Sequence, residues 1–182
     1  GADHETKTFI NGLLVSNPYS LTPQHIPSRF RFSPFLFNGA FFSTGGYSAE
    51  YGQALSSVLQ LNTYDLPSSS QTDISIMSVG ADISQTIRKK NTSLYGQVQY
   101  TDLAAYFALV PQKYEWSRAP NSINSTLHFK QKFKNDGHIQ VYTNYDKSKL
   151  KISQPVPGNI YEFGTYDITN NNLYSNASFK NP

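Results

Sequence analysis

The stretch Ser43-Thr44-Gly45-Gly46-Tyr47-Ser48-Ala49-Glu50-Tyr51-Gly52-Gln53-Ala54-Leu55-Ser56-Ser57-Val58-Leu59-Gln60-Leu61-Asn62-Thr63 changes character half-way along. Its first half carries Gly45, Gly46 and Gly52 among small residues and two tyrosines. Glycine supplies backbone conformations or close approaches that a Cβ would block, so this half reads as a shaped loop. Glu50 is the one acidic group there, among apolar and small neighbours. The second half, Ser57 to Thr63, alternates apolar and polar residues with period 2 and reads as a strand.

Upstream, residues 6–15 read as a strand, a turn at Asn11-Gly12 and a returning apolar strand. Pro18, Pro23, Pro27 and Pro34 then exclude regular structure through most of residues 17–34, because each removes a backbone donor and fixes φ. An aromatic, glycine-punctuated run follows from Phe35 to Phe42. Downstream, residues 64–71, with Pro67 and three consecutive serines, read as a linker.

Beyond residue 71 the pattern is monotonous. Residues 72–87 alternate, with apolar side chains spread over both faces. Residues 93–101 set Leu94, Gly96, Val98 and Tyr100 against Tyr95, Gln97, Gln99 and Thr101. Residues 123–133 set Leu127, Phe129 and Phe133 against Thr126, His128, Lys130 and Lys132. Residues 138–146 set Ile139, Val141, Thr143 and Tyr145 against His138, Gln140, Tyr142 and Asn144. Residues 173–179 set Leu173, Ala177 and Phe179 against Tyr174, Asn176 and Ser178. Asn135-Asp136-Gly137 joins two runs as a short hairpin. Residues 105–121 and 147–170 are aromatic, proline-bearing and read as long loops. The expectation is a meander of up-and-down strands, with short turns at one end and long loops at the other.

Composition bounds the answer. The 182 residues are 38% apolar and 15% charged, against about 45–50% and about 25% for an ordinary soluble domain. Uncharged polar residues fill the gap, and 14% of the chain is aromatic, which excludes disorder and a helical-bundle composition. The chain is mainly β by composition. With no cysteine, disulfides and thiolate metal sites are excluded. The longest weakly polar run, Leu103 to Val110, falls far short of the roughly 20 residues of a membrane helix. A net charge of +3 without a dense basic stripe gives no nucleic-acid partner, and Arg88-Lys89-Lys90 reads as a solvated turn.

A sheet with one apolar and one polar face meets a different medium on each side. Two settings do this: a water-soluble sandwich with its apolar face inside, and an outer-membrane barrel with its apolar face in lipid. Periodicity alone leaves both open. About five such strands cannot close a barrel, since the smallest closed membrane barrels use about 8.

The 43–63 segment resembles the end of the plug domain of TonB-dependent outer-membrane receptors, in which a Gly-Gly-aromatic-Ser-Ala-Glu-Tyr-Gly-x-Ala-Leu-Ser run leads into the final plug strand. Thr8 to Val15 resembles the Ile-Asp-Gly hairpin of the same family. Two residues depart from its pattern: Asn11 stands at the usual Asp, and Tyr64 at a position that is often basic. The resemblance implies the C-terminal part of a plug over residues 1–64 and the first strands of an incomplete transmembrane β-barrel over residues 65–182. It implies a piece of a bacterial outer-membrane transporter that imports a scarce ligand (a siderophore, vitamin or glycan) under the drive of the TonB system. Such a piece is expected to contact outer-membrane lipid, to carry no catalytic residue or cofactor, and to self-associate through open edges. The implied plug residues are Gly45, Gly46, Tyr47, Glu50, Tyr51 and Gly52, with the hairpin residues Ile10, Asn11 and Gly12. In the family a Glu at this position faces the barrel wall, and Arg29 and Arg31 are its candidate partners within this chain. A solvent-facing turn residue is the plainer reading of Glu50.

Other chemistry is sparse. His4, His25, His128 and His138 lack metal-ligand spacing, and His128 and His138 read as cross-strand neighbours on the polar face. No nucleophile elbow, phosphate loop or zinc-protease motif occurs. Tyr114 and Trp116 are candidate ligand-stacking or interface aromatics, and Tyr106 and Phe107 candidate girdle residues. The competing function is a secreted β-sandwich that binds carbohydrate or surfaces.

Overall fold

Asn11 and Gly12 both take positive φ, 53° and 81°, the pair of conformations that a tight two-residue hairpin turn requires. They join β1 (Thr6–Ile10) to the antiparallel β2 (Leu13–Val15). The computed structural model describes the chain except residues 1–5, 24, 25, 34, 35, 52, 53, 55, 135, 157, 158 and 182, and the side chains of residues 50, 159 and 160. Gly52, His4 and His25 therefore lie outside the described residues, as does the side chain of Glu50.

The strand expected at residues 57–63 is β4 (Ser57–Thr63). It pairs in parallel with β1, Thr6 opposite Ser57 and Ile10 opposite Leu61, and antiparallel with β3 (Phe37–Ser43). The result is a four-stranded mixed sheet in the order β2-β1-β4-β3. Its core is conventional: Ile10, Val15, Phe32, Leu36, Phe37 and Leu61 are buried together. Pro18 to Ser33 has no strand or helix among its described residues, only the isolated bridge Tyr19–Phe30.

The second sheet is a six-stranded antiparallel meander, β5 (Gln71–Met77), β6 (Gly80–Lys89), β7 (Thr92–Asp102), β8 (Glu115–Lys132), β9 (His138–Val156) and β10 (Asn159–Lys180), paired in chain order. Mainly β with antiparallel up-and-down strands is thus the observed fold, and the described strands do not close into a barrel. No helix is long and apolar enough to cross a membrane, which says nothing of strands.

Three local expectations need correction. The run 72–87 is two strands joined at Ser78-Val79. Outward residues are even-numbered in β5 (Ile74, Ile76) and odd-numbered in β6 (Ala81, Ile83), so the apolar signal seemed to occupy both faces. Gly80 belongs at this corner, because a Cβ there would lie 2.1 Å from the Tyr100 carbonyl oxygen. Residues 105–121 are a short helix, α1 (Ala104–Leu109), and the start of β8, with Asp102 Oδ1 accepting the Ala104 N–H at 2.8 Å. Residues 147–170 are strand on both sides of a hairpin tip, paired from Lys147–Asn171 up to Pro155–Phe163. Pro155 does not break the ladder because it lies beyond the last residue that pairs with β8, Ser153, where the strand has a free edge.

The two faces of the meander are inverted relative to a soluble sheet. Inward rows run Asp82–Gln99–Asn124–Asp146, Ser84–Gln97–Thr126–Asn144 and Thr86–Tyr95–His128–Tyr142. Of these, Asp82, Ser84, Thr86, Gln97, Asn124, Thr126, His128, Asn144 and Asp146 are all buried polar residues. The outward rows hold Ile83, Ile87, Leu94, Val98, Leu127, Leu173 and Phe179, every one exposed. The small sheet packs on the polar face. The expected pairing of His128 with His138 does not form, because the β8–β9 register sets His128 opposite Tyr142 and His138 opposite Lys132.

Candidate functional site

The site lies where the small sheet and the 17–33 loop meet the inward face of the meander. Its apolar anchor is Tyr142, which is fully buried and packs against Phe32 and Phe37 with ring centroids 6.2 Å apart in each case. Polar side chains of the wall then reach backbone oxygens opposite. Asn124 Nδ2 donates to the Arg31 carbonyl at 2.7 Å, Asn170 Nδ2 to the Leu21 carbonyl at 3.0 Å, and Asn176 Nδ2 to the Ile10 carbonyl at 3.2 Å. Two of these acceptors, on Leu21 and Arg31, belong to the loop, which lacks a ladder of its own and satisfies its backbone in this way.

Asn11 is the centre of a second set of contacts. Its Oδ1 accepts from both the backbone N–H and the hydroxyl of Thr63, each at 3.0 Å, and Thr63 Oγ1 in turn lies 3.2 Å from His128 Nε2. The hairpin turn, the end of β4 and the wall are thereby linked through side chains. The Asn11 amide nitrogen is buried without a partner. Only the acceptor half of this side chain is used, a role that a carboxylate oxygen would also fill.

The remaining motif residues have packing roles. Tyr47 and Tyr51 pack over Phe9, Ala54 and Val58, with Phe9 and Tyr51 rings 4.9 Å apart and Tyr47 Oη donating to the Ala54 carbonyl at 2.7 Å. A single 3-10 turn over Ala49–Tyr51 carries Tyr51, and Tyr47 lies just ahead of it. Gly46 has φ 68°, as expected of a residue chosen for its backbone. Gly45 has neither a positive φ nor a neighbour within 4 Å of a built Cβ, so neither reason expected for a glycine applies there. Ile10 is a core residue, fully buried.

Arg31, a candidate partner of Glu50, is engaged elsewhere. Its Nε donates to the Asn17 carbonyl at 2.6 Å, and Nη2 donates to the same oxygen. Burial pushes the guanidinium below its ordinary pKa, while the nearby Asp146 and Tyr142 act in the opposite direction. The linker contributes a further fastening. Asp65 Oδ1 lies 3.1 Å from Lys130 Nζ, and Oδ2 2.6 Å from Lys132 Nζ. Partial burial raises the Asp65 carboxyl, but hydrogen bonds from Lys132 and Lys130 outweigh that and hold it at about 2.

Above these contacts is a cavity of about 490 Å³, walled by the 20–33 loop on one side and by α1 and the upper parts of β7, β8 and β9 on the other. Its lining combines Phe30, Leu103, Phe107 and Trp116 with Arg29, Arg31, Asn124, Asp146 and Lys149. Phe107 and Trp116 form an aromatic pair with centroids 5.2 Å apart, extended by Tyr106. Trp116 thus lines the cavity, whereas Tyr114 lies outside the lining, under the Lys113 ammonium at 5.3 Å. Aromatic faces with a few convergent polar groups suit a small organic ligand. Among the described residues, no group of three or more His, Asp or Glu side chains comes together as a metal site would require.

Sequence reading missed Asn124, Asp146 and Tyr142. The signal was present, since all three share the polar parity of their strands, but nothing local marks that parity as the inner one. Comparison with protein-family models, with curated proteins and with solved structures finds no match to this chain.

Proposed function

We propose that this chain is the late plug and the first barrel strands of a TonB-dependent outer-membrane receptor, which takes up a scarce small ligand when the TonB system moves the plug. The observation that carries the reading is the inverted meander: an apolar face exposed, and a polar face buried against a small sheet that has its own core.

The exposed apolar face has the height that a bilayer asks for. From Phe179 to Leu173 on β10, Leu94 to Tyr100 on β7 and Ile139 to Tyr145 on β9 the outward residues are largely apolar. Each stretch covers about 20 Å along its strand, close to the roughly 25 Å apolar band of outer-membrane barrels. The same face then turns polar: Asp102 on β7, Lys147, Lys149 and Lys151 on β9, and Asn171, Thr169 and Asp167 on β10. Tyr100 and Tyr145 sit at that border, as aromatic residues do at membrane interfaces. On this reading β8, β9 and β10 rise above the outer surface, and the cavity opens on the ligand side. Catalytic groups and cofactors have no part in it, because the work comes from the TonB system.

A secreted sandwich is disfavoured by the same face. It needs the apolar side of the meander inside, where the chain puts Asn124, Asn144 and Asp146.

The chain has no cysteine, so single cysteines report cleanly. With the native protein in its host membrane, cysteines at Ile83, Val98 and Leu127 are expected to resist a water-soluble maleimide, and nitroxide labels attached there to be relaxed by lipid-dissolved oxygen. Free reaction of all three with the aqueous reagent refutes the membrane reading.

A further inference from the structure

The turn end of the meander gathers cations that lie far apart in sequence. Lys89 and Lys90 close the β6–β7 turn, Lys134 lies in the β8–β9 turn, and Lys180 ends β10; all are exposed. Adjacent strands hold them on one rim: the Lys132 N–H donates to the Asn91 carbonyl at 2.8 Å, and Lys180 is registered with His138. Of the acids described at this end, Asp65 is occupied by Lys130 and Lys132, which leaves Asp136. Among the described side chains, no carboxylate lies within ion-pair distance of Lys89, Lys90, Lys134 or Lys180. The opposite end is mixed instead, with Arg118 and Lys151 both on Asp167.

Directly beside these cations the outward face is apolar. Ile87, Leu94, Phe133 and Phe179 are exposed there, and the rings of Phe133 and Phe179 meet at 6.2 Å. A rim with free ammonium groups at the chain turns and aromatic side chains just below matches a surface that is anionic at its headgroups and apolar beneath. We propose that this rim docks on anionic phospholipid headgroups, with Lys89, Lys90, Lys134 and Lys180 on the phosphodiesters and Phe133 and Phe179 in the acyl region. The inference rests on the membrane reading of β5–β10 and adds to it a lipid preference located at one end.

The test refolds the full chain in the presence of vesicles of phosphatidylcholine alone, or of phosphatidylcholine mixed with phosphatidylglycerol, and measures flotation over a salt series. Binding is expected to be stronger on the anionic vesicles and to weaken with salt. Lys89→Gln/Lys90→Gln/Lys134→Gln/Lys180→Gln is expected to lose about tenfold or more of the anionic binding, while Lys113→Gln/Lys151→Gln at the other end keeps it. Circular dichroism checks that both variants retain β structure. Equal flotation on the two lipids, or a quadruple variant that keeps the preference, overturns the inference and leaves the membrane reading standing. Failure to float with either lipid overturns both.

Discussion

Leu61 and Leu127 are the same residue type, each on a strand with period-2 alternation, and they have opposite fates. Leu61, on the small sheet, is 5% exposed inside a conventional core, whereas Leu127, on the meander, is 50% exposed with polar His128 and Thr126 buried beside it. Alternation therefore says that a strand has two different faces. It does not say which face is inside, because that depends on what covers each one. In the small sheet Phe32, Leu36 and Tyr142 cover the apolar side. In the meander the small sheet and the 17–33 loop cover the polar side, through amide-to-carbonyl hydrogen bonds and one buried tyrosine.

The largest test of that contrast removes the residue belonging to both regions. Tyr142→Ala is expected to cost about 3–5 kcal/mol, as other large aromatic truncations in cores do, and to open the 17–33 loop to limited proteolysis while the meander keeps its strands. Next comes the leucine pair. Leu61→Ala is expected to cost about 2–4 kcal/mol in urea unfolding, and Leu127→Ala within about 0.5 kcal/mol. Leu127→Arg sharpens this by medium, costing about 2–4 kcal/mol in a bilayer and little in water. Equal costs for Leu61→Ala and Leu127→Ala would dissolve the distinction between the two regions.

Smaller effects probe the fastenings. Asn11→Ala is expected to cost about 1–2 kcal/mol, since the Thr63 N–H and hydroxyl lose their acceptor. Asn11→Asp keeps that acceptor and removes the unpartnered amide, and is expected to stay within about 1 kcal/mol of wild type. The smallest is the Asp65 clasp, an exposed carboxylate on two lysines, worth less than about 1 kcal/mol. Its sign follows from a folded-state pKa of about 2, below the ordinary carboxylate value. The clasp contributes fully above about pH 4, where the unfolded carboxyl is also ionised, and is lost as the pH falls toward 2. Urea midpoints of wild type and Asp65→Asn should therefore differ at neutral pH and converge near pH 2.

Much of this was legible locally. The Asn11-Gly12 turn, the β4 alternation and the Asp136-Gly137 corner each depend on a few adjacent residues whose backbone preferences suffice. The long strands at 147–170 were not legible, because prolines and aromatics near the hairpin tip read as loop and the alternation there swaps sense: Lys149 and Lys151 take the outward side, and Leu150 and Ile152 are buried on the inward one. The cavity was half legible: Trp116 stood out as an aromatic, but its partners Phe107, Arg31 and Asp146 come from three other segments.

By itself, the sequence determined the mainly β class, the Asn11-Gly12 and Asp136-Gly137 turns, and the two-faced character of the strands around residues 57–63, 93–101, 123–133, 138–146 and 173–179, since those properties belong to neighbouring residues and to backbone geometry. Only the tertiary structure decided which side is turned inward, that Asn11, Thr63 and His128 meet, and that four lysines from three segments share a rim. Those outcomes come from pairing strands across long separations, and no local preference encodes which strand will lie alongside or which surface will cover it.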